Sequence, residues 1–105
     1  MIMRMVLTTI PIDKSGKLKT KILEEKLASC VIEVGLLTPS KFWHKGKIDK
    51  ENESLVVFKT REDLVEKLLK RIKELHPYDC PFIAVINPEK VNEEYEKWLN
   101  EVTGG

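Results

Sequence analysis

The 105-residue sequence has almost no net charge: its 18 Lys and Arg against 17 Asp and Glu leave +1. A protein that holds nucleic acid through its phosphates draws on an excess of basic groups to displace counterions, so no nucleic-acid partner is expected. Also lacking is any apolar run near the roughly 20 residues that cross a bilayer, and no membrane partner is expected either. The apolar start, residues 1–10, is short and has no small-residue cleavage site, so it is not read as a signal peptide. Cysteine is scarce. Cys30 and Cys80 stand fifty positions apart, neither in a CxxC pair. They read as reduced thiols in a cytoplasmic protein, each expected to be buried and inert. Glycines number five and never cluster ahead of a helix, which removes a phosphate-cradling loop. GxSxG, HExxH and Walker motifs are missing too. No enzymatic activity is expected, and no cofactor is required.

What the sequence does have is alternation of two periodicities. Residues 3–10 are β-rich and stop at Pro11. Leu18, Ile22, Leu23 and Leu27 then recur at helical spacing, predicting an amphipathic helix that Asp13 or Ser15 would cap and that ends near Ala28-Ser29. Cys30–Val34 resumes a β pattern, and Lys41–Ile48 reads as the arm of a long hairpin. The polar tract Asp49–Glu53 is expected to be a turn before a strong strand at Ser54–Thr60. Leu64, Val65, Leu68, Leu69, Ile72 and Leu75 form a second helical stripe, with Asp63–Lys67 and Glu66–Lys70 as four-apart charge pairs. It stops at His76-Pro77, because the residue before a proline avoids the α region. Residues 81–86 predict a further strand, and Val91, Tyr95, Trp98, Leu99 and Val102 a terminal helix.

Strand-helix-strand twice over, then one helix, predicts a single α+β domain over 1–105. Its architecture is a ferredoxin-like split βαβ sandwich, an antiparallel four-stranded sheet with two helices on one face. The other face needs a cover larger than one short helix. A second copy of the chain is the expected cover, with Phe42 and Trp43 of the arm suited to an interface; burial in the chain's own core is the other reading of these aromatics.

Candidate chemistry concentrates in His76-Pro77-Tyr78-Asp79-Cys80-Pro81. Imidazole, carboxylate and thiolate are all metal donors, although the same residues also serve as a helix stop. A Cys80–His76 pair would make a nucleophile only if the two side chains met. Lys59, at a strand end, could pair with an anionic ligand.

Five segments, taken together and in order, resemble the CutA family of divalent-cation-tolerance proteins: Leu27-Ala28-Ser29-Cys30-Val31, Phe42–Ile48, Phe58-Lys59-Thr60, His76–Pro81 and Tyr95–Leu99. Thr8-Thr9-Ile10-Pro11 also fits. The resemblance implies a ferredoxin-like protomer with long hairpin arms in a tight homotrimer, similar in shape to PII-type signalling proteins. It implies a role in divalent metal-ion tolerance or response, with copper binding in some members. For those members the resemblance implies copper ligands from a cysteine at the end of strand one, the histidine of the HPY motif and a glutamate after the second proline. Their places here hold Thr8, His76 and Phe82, so the expectation is weak binding of copper or another divalent cation, with His76 as the metal donor. Lys59 and Tyr78 would orient a polar or anionic ligand. The alternative is a PII-like signalling or scaffold module that binds a small anion or a partner protein.

Overall fold

β1 (Met3–Pro11) and β5 (Glu53–Arg61) pair antiparallel along their whole nine-residue lengths and form the centre of the sheet. Both are rich in β-branched residues, and β5 adds Phe58; such side chains suit a pleated, half-buried surface. The computed structural model describes residues 2–35 and 39–104. β2 (Cys30–Gly35) flanks β5, and β6 (Ile83–Ile86) flanks β1, giving the order β2-β5-β1-β6. This is the antiparallel split βαβ sheet expected from the element order.

Side chains alternate across a strand, so the register sorts the two faces. Val6, Thr8 and Ile10 of β1 stand beside Phe58, Val56 and Ser54 of β5, and all six are fully or almost fully buried. Against this face pack α1 (Ile12–Glu24) and α2 (Val65–Leu75), which contribute Leu18 and Ile22, and Leu68 and Ile72, to one core cluster. α2 follows a single 3-10 turn, Glu62–Leu64, and stops at His76, whose extended backbone leads into Pro77. α3 (Glu93–Val102) crosses to the opposite face and covers only the end holding Cys30, Lys59 and Arg61.

The rest of that face is bare. Ile32, Val34 and Ile86 are exposed, and Leu7, Leu55, Val57 and Ala84 are half-buried beside them. The expectation that one short helix cannot cover the second face holds.

β3 (Ser40–His44) and β4 (Lys47–Glu51) make a separate two-stranded ribbon that runs straight into β5 through Asn52. It stretches the molecule to 45 × 25 × 20 Å with a radius of gyration of 14.5 Å. A compact chain of this length measures about 13 Å, so the arm accounts for the excess.

Four local expectations are corrected. α1 ends at Glu24 rather than near Ser29. The Leu27 N–H reaches back to the Ile22 carbonyl and the Lys26 N–H to the Leu23 carbonyl, while Lys26 takes φ 57°; this is a Schellman ending. Neither Asp13 nor Ser15 caps α1, because Pro11 occupies the cap position and the Ser15 hydroxyl shares its proton between the Glu33 carboxylate and the Ile12 carbonyl. The hairpin turn lies at Lys45-Gly46, both at positive φ, as a two-residue turn matched to strand twist requires; Asp49–Glu51 are therefore strand. The four-apart pairs give way to others: Asp63 faces Arg61, and Arg71 holds Glu25 in a two-pronged bond that ties α2 to the end of α1.

Candidate functional site

β6 is short, and its pairing with β1 stops at Thr8–Ile83. The next carbonyl along β1, that of Thr9, accepts a hydrogen bond from His76 Nε2 at 2.8 Å. His76 Nδ1 in turn accepts the Tyr78 backbone N–H at 3.1 Å. A carbonyl only accepts and an amide N–H only donates, so His76 is the neutral tautomer with its proton on Nε2. The ring is 7% exposed, and Tyr78 leans over it at 5.0 Å between ring centres. The HPY turn is thereby pinned to the end of β1.

Tyr78 extends the network outward. Its hydroxyl donates to Glu53 Oε2 at 2.8 Å. Burial first, then the Glu53 carboxylate, push its phenol well above the usual tyrosine range. Between the hairpin arm and the segment 77–82 opens a cleft of about 610 Å³. Phe42 and Trp43 of β3, His44, Asp49, Glu51, Glu53, Tyr78, Asp79 and Phe82 line it.

Of the residues singled out in the sequence, His76 and Tyr78 come together, and Lys59 does not join them. Lys59 lies six residues beyond Glu53 on the same strand, about 20 Å away at the rise of a β-strand. Its ammonium sits 5.0 Å from the centre of the Tyr95 ring. Thr8 is fully buried and donates to the Phe82 carbonyl at 2.7 Å, while the Phe82 side chain is exposed. Where the resemblance expects a thiolate and a carboxylate, the chain has a structural hydroxyl–carbonyl bond and an outward phenyl ring. Among the described residues, no three His, Cys, Asp or Glu side chains converge as a metal-holding group.

The cysteines depart from expectation. Cys80 is exposed at the cleft and Cys30 is half-buried. Cys30 Sγ lies 3.1 Å from the Tyr95 hydroxyl. Both His76 nitrogens are engaged elsewhere, with Thr9 and Tyr78.

Sequence reasoning missed Glu53 altogether. The polar tract reads as a turn, and a glutamate beside Asp49, Lys50 and Glu51 gives no signal of burial. Only the register, which sets Glu53 opposite Pro11, places it under Tyr78.

Comparison with known proteins gives a consistent picture. The chain is 46% identical over 103 residues to the divalent-cation tolerance protein CutA of Pyrococcus horikoshii, covering 96% of this chain and 98% of that protein. It is 39% identical to the CutA of Thermus thermophilus over 100 residues, 94% of this chain and 96% of the relative. The crystal structure of CutA1 from Pyrococcus horikoshii superposes with a TM-score of 0.86 at 41% identity, covering 94% of this chain and 96% of that one. CutA1 from Ehrlichia chaffeensis does so with a TM-score of 0.89 at 28% identity, covering 97% and 95%. The family profile of the CutA1 divalent ion tolerance protein matches residues 4–102, and with that match the chain belongs to the CutA1 family.

Proposed function

We propose that the protein acts in divalent-cation tolerance as a non-enzymatic homotrimer that binds copper or another divalent cation weakly. Relatives bearing the divalent-cation tolerance name over nearly the full chain support the role. The observation that carries the weak binding is the occupancy of His76. Its one unprotonated nitrogen, Nδ1, already takes the Tyr78 N–H. A metal gains that nitrogen only by displacing a hydrogen bond in a buried ring, and Thr8 and Phe82 supply neither thiolate nor carboxylate to help. Affinity comes from several donors in fixed geometry, and a lone imidazole falls short of that.

The bare sheet face supports the trimer. Ile32, Val34 and Ile86 carry no charge, and β2 and β6 are open edges, which natural proteins cover or pair. A second and third copy of the same chain offer a matching apolar surface. Cys30 and Cys80, unpaired thiols, support a reducing, cytoplasmic setting. No helix among the described residues is long and apolar enough to cross a membrane. An Archaeoglobus fulgidus relative is described as periplasmic, and cell fractionation separates the two locations.

Calorimetric titration of copper into the protein tests the metal reading. The expected result is weak, saturable binding that His76→Ala reduces. Equal binding by the two proteins would remove His76 as the donor.

A further inference from the structure

Within one chain the hairpin arm carries a charge pattern that opposes itself. Lys41 stands directly opposite Lys50, and Trp43 opposite Ile48. Side chains two apart on a strand share a face, so one face of the ribbon holds the two lysines beside the Trp43–Ile48 pair. Phe42, His44 and Asp49 belong to the other face. Like charges directly opposite each other destabilise a ribbon, and among the described residues neither lysine makes an ion pair. In a single chain Trp43 and Ile48 are 76% and 66% exposed. This face therefore calls for a partner that is apolar at its centre and acidic around it.

That pattern lies on α3. Trp98 and Val102, four apart on one side of the helix, are both exposed. Glu94, four before Trp98, and Glu101, three after it, flank them on that side and are exposed too. Neither glutamate makes an ion pair among the described residues, and residues 89–101 hold five glutamates against two lysines. An acidic, apolar helix face complements a basic, apolar ribbon face.

The two patches lie at opposite ends of one chain. The arm joins β5 at its Glu53 end, whereas α3 covers the Lys59 and Arg61 end of the same strand, roughly 20 Å away at the rise of a β-strand. A ring of three copies is built from heterologous contacts, in which a patch on each copy meets a different patch on the next. Two unlike, complementary patches set apart on one chain meet that requirement.

We propose that the hairpin arm of each copy lies along α3 of the next, with Trp43 and Ile48 against Trp98 and Val102 and with Lys41 and Lys50 among Glu94 and Glu101. The inference rests on the homotrimer reading and adds to it which two surfaces meet.

The test uses the full chain carrying Cys30→Ser and Cys80→Ser, to which Ile48→Cys and Val102→Cys are added singly and together. A short bismaleimide then joins thiols that lie close. The expected result is covalent species of two and three chains, and none larger, when both new thiols are present, and single chains with either alone. Separately, Lys41→Glu with Lys50→Glu is expected to weaken association about tenfold or more at low salt, and adding Glu94→Lys and Glu101→Lys to restore it. All four positions are exposed in the single chain, so these changes leave the protomer fold intact. No cross-link with both thiols present, equal cross-linking by one thiol alone, or reversed lysines that leave association unchanged would overturn the proposal, as would a loss that the reversed glutamates fail to restore. A wild-type trimer with any of these outcomes removes only this contact, whereas a wild-type mass of one chain removes the trimer reading with it.

Discussion

Lys26 holds a left-handed backbone at the end of α1, a position where glycine avoids the clash a Cβ brings. The Schellman bonds of Leu27 and Lys26 fix that geometry, and Leu27 gains by packing on the core. Replacing Lys26 with Gly is therefore expected to stabilise the protein by about 0.5–1 kcal/mol in urea unfolding; a loss of stability would show that Lys26 makes a compensating contact. Glu33 carries a second residue-scale prediction. The Lys19 ammonium first, with the Ser15 hydroxyl beside it, holds its carboxyl at about 2, well below 4.5. A folded-state value below the unfolded one means that this contribution is fully present above pH 4.5 and is lost as pH falls towards 2. Glu33→Gln should flatten the stability profile across that window, by about 1 kcal/mol after solvent screening. Parallel profiles in the two proteins would contradict the assignment. His76 was legible as a candidate because imidazole, carboxylate and thiolate crowd into His76–Pro81 at a helix end. Its engagement on both nitrogens was not legible, because the partners, Thr9 and the Tyr78 amide, are backbone atoms that sequence does not place.

Among the elements, α2 shows how a periodic pattern becomes structure. Leu68 and Ile72, four apart, are both fully buried against the sheet, as the apolar stripe predicted. Leu68→Ala is expected to cost about 3 kcal/mol through lost burial and the cavity left behind; a loss under about 1 kcal/mol would mean the site collapses around the smaller residue. The long periodic segments were readable because their signal is repeated. The hairpin arm was only half readable. β4 carries Lys47, Asp49, Lys50 and Glu51, and every residue of it is exposed, so no burial alternation marks it. Charge-rich sequence therefore suggested a turn where the backbone pairs, and the true turn at Lys45-Gly46 rests on two positive φ angles that a single glycine only hints at. The cleft depends on that arm, which is why its lining could not be assembled from sequence.

For the molecule as a whole, the unfinished surface matters most. One face of the sheet is sealed by α1 and α2, and the other is sealed only where Tyr95 meets Cys30 and Lys59. The patch centred on Val57, between Leu7 and Ile32, is apolar, with the buried Glu53 under Tyr78 at its far end. Exposed apolar patches of this kind mark association surfaces. The near-neutral net charge of +1 leaves little long-range repulsion between copies. The measurement that tests this most directly is the solution mass by sedimentation equilibrium. The account predicts three times the 12.2 kDa chain mass, and a shift towards single chains in Val34→Lys, which sets a charge in the bare face. A wild-type mass of one chain, unchanged by Val34→Lys, would contradict it.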